Sequence, residues 1–94
     1  MKAKPITQYV ITPHARWELS RRGLSEDTIR AILVAPEQGF EIRPGRMVLQ
    51  SIISSERPAK RFLIRVFVDI DRTPAEVVTA YRTSKITKYW REGS

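Results

Sequence analysis

The chain has 94 residues, with 17 Lys plus Arg against 10 Asp plus Glu, a net charge of +7, one histidine and no cysteine. That length holds one modest core and not two, so a single domain spanning 1–94 is expected. The lack of thiols excludes a disulfide framework and thiolate chemistry, and a lone histidine excludes an ordinary His-rich metal site. The surplus of positive charge favours a polyanionic partner, either nucleic acid or an acidic protein.

Met1-Lys2-Ala3-Lys4-Pro5 carries charge but is followed by no apolar run of signal-peptide length, and no stretch approaches the ~20 apolar residues of a membrane span. A cytoplasmic protein is expected, with no membrane partner, no metal and no other cofactor. Gln8 to Ile11 is a short apolar run, either a brief strand or an arm laid on the core. From Thr12 the signals sharpen: a capping Thr, Pro13 at the first helical position, then His14 to Arg22, and Gly23 where a helix would stop. Ala15, Leu19 and Trp17 are the inward candidates, while His14, Glu18 and Arg21 or Arg22 follow the i, i+4, i+7/i+8 spacing and share another face. Ser25 then caps a second helix through Leu33, with Glu26 and Asp27 in the first turn where the helix dipole favours acids, and Pro36 ends it.

After Gly39 the period becomes extended. Phe40 to Arg43 and Arg46 to Ile53 read as two strands about a Pro44-Gly45 turn, and Ser54 to Ala59 reads as a polar connection. Arg61 to Ile70 is the most apolar and β-branched stretch, and it predicts a central strand. Phe62, Ile64, Val66 and Val68 take one side of it, and Leu63, Arg65 and Phe67 the other. Arg65 is the informative residue, because a guanidinium on an apolar strand face calls for a carboxylate, an anionic ligand, or an edge where it can reach water. Asp71-Arg72-Thr73-Pro74 marks a turn, and the last strand alternates Val77, Thr79, Tyr81 and Thr83 against Val78, Ala80 and Arg82. The expected fold is α+β: two N-terminal helices on one face of a four-stranded antiparallel sheet, closed by a short C-terminal helix or tail.

Between Val77 and Arg91 there are four basic residues (Arg82, Lys85, Lys88, Arg91), three aromatics (Tyr81, Tyr89, Trp90) and no acid. Cations bind phosphates and rings stack on bases, a mixture that suits single-stranded RNA or DNA; a short C-terminal helix with solvated lysines accounts for the same pattern. RNA cleavage without a metal needs a base for the 2′-hydroxyl proton, cations for the charge on the phosphorane, and an acid for the leaving oxygen. His14, the one side chain that titrates near neutrality, is the candidate base. Arg65 and Arg82 are the candidate phosphate clamps, and Tyr81 or Lys85 the acid or further anchor. Lys85, Lys88, Tyr89 and Trp90 are the candidate RNA contacts. A backbone-bonded histidine at a helix start is the structural alternative for His14, and dipole-complementing residues at a helix end that for Arg21 and Arg22.

His14-Ala15-Arg16-Trp17-Glu18-Leu19-Ser20-Arg21-Arg22-Gly23-Leu24-Ser25, the helix ending near Pro36, and Val77-Val78-Thr79-Ala80-Tyr81-Arg82-Thr83 together resemble a bacterial family of unknown function grouped with the RelE/ParE-like toxins. The resemblance spans roughly residues 14–83. It rests on the His-Ala pair and the Arg-Gly-Leu-Ser turn, here His14-Ala15 and Arg22-Gly23-Leu24-Ser25. What it implies is a RelE-like fold whose basic residues hold RNA, with Arg21 and Arg22 added to the RNA contacts. The implied function is that of an mRNA interferase, a metal-independent endoribonuclease acting on free or ribosome-bound RNA and neutralised by an antitoxin. A non-enzymatic RNA-binding or protein-inhibiting module of the same fold is the alternative. Relatives often carry a basic residue four positions after the histidine; here that residue is Glu18.

Overall fold

A computed structural model describes residues 4–56 and 59–92. The elements follow the order β1 (Tyr9–Ile11), α1 (Pro13–Arg21), α2 (Glu26–Val34), β2 (Gln38–Arg43), β3 (Arg46–Glu56), β4 (Ala59–Asp69), β5 (Ala75–Thr83) and α3 (Ile86–Tyr89). They form one five-stranded sheet in the order β1-β5-β4-β3-β2, with β4 at its centre as its sequence demands. The α+β class holds, but the four-stranded antiparallel sheet does not. Tyr9, Val10 and Ile11 pair in parallel with Ala75, Glu76 and Val77, making the sheet mixed. The two strands are joined through both helices and three other strands, so no short turn forces them antiparallel.

The helix boundaries follow their caps. Thr12 Oγ1 accepts from the Ala15 amide at 3.1 Å, and Pro13 occupies the first turn, where its missing donor costs nothing. Ser25 Oγ accepts from the Thr28 amide at 3.1 Å. The end of α1 is a Schellman motif: Leu24 N–H reaches Leu19 O at 2.9 Å, Gly23 N–H reaches Ser20 O at 3.2 Å, and Gly23 takes φ +69°. One turn of α3 follows Lys85, with Thr83 Oγ1 accepting from the Lys85 amide at 3.1 Å.

Strand alternation then sorts the side chains. Leu49, Ile64, Val66, Val68, Val77 and Ala80 face the helices and form one core with Ala15, Leu19, Leu24, Ile29, Ile32 and Leu33. Each fully buried Leu or Ile there contributes roughly 1.5–3 kcal/mol relative to exposure. Trp17 does not join them and is 59% exposed, because a residue two positions from Ala15 lies about 200° around the helix from it. Strict alternation also fails in β5. Phe67 pairs with Thr79 but Val68 pairs with Val77, which leaves Val78 as a bulge and puts Val77 and Ala80 on the same face. The expected connection from Ser54 to Ala59 is mostly strand, since Ser54, Ser55 and Glu56 pair with Arg61, Lys60 and Ala59. Among the described residues no helix is long and apolar enough to cross a membrane.

Candidate functional site

The face of the sheet away from α1 and α2 carries a polar row. Gln38 lies opposite Gln50, Gln50 opposite Arg65, and Arg65 opposite Tyr81, so four strands contribute one residue each. Cross-strand neighbours point the same way, and the register alone brings these side chains together. Gln50 Nε2 donates to Gln38 Oε1 at 2.8 Å, Arg65 Nε donates to Gln50 Oε1 at 2.9 Å, and Arg65 Nη1 donates to the Tyr81 hydroxyl at 2.8 Å. Three rings enclose the guanidinium: Tyr89 at 4.4 Å, Phe67 at 5.4 Å and Tyr81 at 5.8 Å from its carbon.

Arg65 is 9% exposed and forms no ion pair among the described residues. A buried charge held only by neutral acceptors and ring faces is costly to maintain, so the arrangement needs a reason beyond packing. Arg65 Nη2 makes no hydrogen bond there, yet among the described residues every fully buried side-chain nitrogen and oxygen is satisfied. It follows that Nη2 keeps contact with solvent. This leaves one N–H edge of a fixed guanidinium open to an acceptor.

Residues 85–92 cross this face. Gln50 Nε2 donates to Tyr89 O at 3.1 Å, Gln38 Nε2 to Arg91 O at 2.7 Å, and the Arg91 amide to Gln38 Oε1 at 3.2 Å. Tyr89 meets Tyr81 edge-on at 6.2 Å, and Arg91 lies 3.5 Å from the centre of the Phe40 ring. The Tyr89 phenol is held below its ordinary range, first by its hydrogen bond to Tyr81 and then by Lys88. Lys85 and Lys88 are exposed and Trp90 is half-buried.

His14 stands apart from this cluster, on α1. Its Nε2 is 3.6 Å from Glu18 Oε1, and its exposed ring stacks at 6.2 Å on Trp17, whose other neighbour is Arg21 at 5.0 Å. Glu18 accepts from the Thr79 hydroxyl at 2.8 Å and from Arg22 Nη2 at 3.2 Å, so the stripe His14, Glu18, Arg22 exists as the helical spacing requires. The Glu18 carboxyl is held below its ordinary value by the Thr79 hydrogen bond and then by Arg22, His14 and Arg21. Arg22 also donates to Ala80 O at 2.7 Å and Thr79 Oγ1 at 3.1 Å, capping the β5 edge that β1 leaves uncovered.

The structure therefore joins Arg65 with Tyr81 and Tyr89 but separates them from Arg82 and His14. Arg82 pairs with Ile64, a core residue, and so points to the helix side, where it covers the Phe62 ring at 5.2 Å. Tyr81 and Arg82 are neighbours in one strand and cannot both face Arg65. Gln38 and Gln50 are missing from the sequence reading, which placed Phe67 on the face of Arg65 without assigning it to the site. Gln50 had a usable signal: with Ser51 it interrupts the apolar run Val48-Leu49-Gln50-Ser51-Ile52, as Arg65 interrupts the strand beside it. A groove of about 840 Å³ beside β1 and α2 is bridged by the Arg16–Glu26 pair at 2.7 Å and is lined by none of the candidate residues. Among the described residues no group of three or more His, Cys, Asp or Glu could hold a metal ion. No family model, curated protein or solved structure matches this chain.

Proposed function

We propose that this chain is a small, basic, RNA-directed cytoplasmic protein of the RelE/ParE-like toxin kind, kept in check by an antitoxin, and that it holds RNA on the sheet face centred on Arg65. The single observation that carries this reading is the buried guanidinium of Arg65, without an ion-pair partner among the described residues and pre-oriented by Gln50 and Tyr81 with one donor edge open. A phosphate oxygen supplies the charge that the fold withholds, in a charge-assisted hydrogen bond. Lys85, Lys88 and Arg91 add counterion release along the strand, and Tyr89 and Trp90 offer stacking surfaces, a combination fitted to single-stranded RNA.

Cleavage is a second reading, favoured by one observation: Glu18, itself fixed by Thr79 and Arg22, lies 3.6 Å from His14 Nε2. In that reaction His14 takes the 2′-hydroxyl proton, the 2′-oxygen bonds to phosphorus, and the 5′-oxygen leaves with a proton from an acid. A 2′,3′-cyclic phosphate end remains.

Fluorescence anisotropy with a short labelled single-stranded RNA tests both readings. Arg65→Met should weaken binding at least ~10-fold, whereas Arg82→Met, on the opposite face, should change it little; equal losses would overturn the Arg65 face as the binding surface. The melting temperature of Arg65→Met should report a loss of about 1–3 kcal/mol, because the change strands the buried Gln50 Oε1 and no carboxylate. His14→Gln should leave affinity unchanged and slow cleavage by roughly 10²-fold; cleavage at the wild-type rate removes the second reading.

A further inference from the structure

The guanidinium of Arg65 is enclosed because residues 85–92 lie across it, and the way those residues are held is unusual for a terminal segment. The one turn of α3 contributes no fully buried side chain. Two glutamine side chains bind its backbone instead. Gln38 grips both the carbonyl and the amide of Arg91, at 2.7 and 3.2 Å, as a neighbouring strand would, and Gln50 holds Tyr89 O at 3.1 Å. Ring contacts add to these, with Tyr89 over Arg65 at 4.4 Å and against Tyr81 at 6.2 Å, and Arg91 over Phe40 at 3.5 Å, while Ile86 and Trp90 are half-buried.

Such attachments exchange readily. Amide hydrogen bonds to a short segment are replaced by water at modest net cost, and a ring face is a weaker partner for a guanidinium than a phosphate that accepts from its fork. The segment is itself basic, with Lys85, Lys88 and Arg91, so its displacement by a polyanion keeps it near the ligand. Resting on the RNA reading above, we infer that residues 85–92 form a strap that covers the face of Arg65 in the free protein, leaving only its one open edge, and that lifts when an RNA phosphate engages the guanidinium in full. Strap closure and RNA binding then compete for one guanidinium, and apparent affinity is the intrinsic affinity reduced by the open fraction.

Gln38→Leu tests this without removing any basic or aromatic residue: it deletes both bonds to Arg91 and the Gln50 Nε2 bond to Gln38 Oε1, leaves Gln50 Nε2 its bond to Tyr89 O, and keeps a side chain of similar size at a buried position. With a short fluorescein-labelled single-stranded RNA as probe, Gln38→Leu should bind about fivefold or more tightly than the unaltered chain. In the unaltered chain, the Arg91 amide should exchange faster with deuterium once the RNA is bound, because its acceptor on Gln38 is lost. Binding of RNA with the Arg91 amide equally or better protected overturns the strap and leaves the RNA reading in place. Unchanged or weaker binding by a folded Gln38→Leu does the same. Absence of RNA binding by both proteins overturns the two together. The exchange measurement uses the native sequence and so decides the matter even if Gln38→Leu does not fold.

Discussion

Glu18 ties α1 to β5 through hydrogen bonds that only the ionised carboxylate can accept in full. Its folded pKa lies below the ordinary value, with Thr79 as the largest cause and Arg22 the next favourable one. A carboxylate depressed by folding adds stability above the unfolded pKa, and that stability is lost as pH falls through the folded one. Melting temperature should therefore hold from neutrality down to about pH 4.3, the ordinary glutamate value, and decline below it. Asp69, held low by Arg46 at 2.6 Å, contributes a loss of the same sign, so the informative quantity is the difference between wild type and Thr79→Val. That variant should be less stable at neutral pH and should lose less on acidification. Parallel melting curves across pH 3–7, a range of about four units around the carboxylate values, would show that Thr79 does not govern Glu18.

Among the elements, the two left-handed glycines separate backbone strain from contact. Gly23 takes φ +69° with nothing within 4 Å of an added Cβ, whereas Gly45 takes φ +83° and an added Cβ would lie 2.8 Å from Asp71 Oδ2. Gly23→Ala should cost about 1–2 kcal/mol, the penalty of the left-handed conformation alone. Gly45→Ala should cost more, because Asp71 must rotate away and loosen its 3.1 Å contact with Arg72. Urea denaturation midpoints compare the two directly, and equal losses would mean that Asp71 yields freely. Both glycines were legible as punctuation in the sequence, Gly23 as a helix stop and Gly45 in a Pro-Gly turn. The strand β1 was not, since three residues carry too little pattern to declare a partner distant in sequence.

For the whole molecule, the distribution of charge matters more than its total. Glu18, Glu26, Asp69, Asp71 and Glu76 are engaged by Arg16, Arg21, Arg22, Arg46 and Arg72, and these pairs lie on α1, α2, the β3–β4 pairing and the β4–β5 turn. The face bearing Arg65 and residues 85–92 is where the positive surplus is proposed to meet RNA. Each single-strand phosphate contact contributes roughly 0.7 to the log-log salt slope, so contacts by Arg65, Lys85, Lys88 and Arg91 predict a slope of about −2.8, reduced in magnitude by about 0.7 in Arg65→Met. Anisotropy titrations at increasing salt measure it, and a flat dependence would sink the electrostatic basis of the proposal.

Local chemistry was enough to define both helices, the central strand and Arg65 as the residue out of place, because caps, β-branched runs and an interrupting charge are read within a few neighbours. The residues that face Arg65 were decided only by tertiary structure. Gln50 and Tyr81 meet it through the β3–β4–β5 register, and Arg82 turns away because a slip of one residue, such as the bulge at Val78 introduces, exchanges the faces of a strand. His14 is set beside Glu18 by helical spacing, which the sequence contains. Its separation from Arg65 comes from α1 lying along the β5 edge, with Thr12 N–H on Val77 O at 3.2 Å and Arg22 on Ala80 O at 2.7 Å, and those are contacts that packing alone determines.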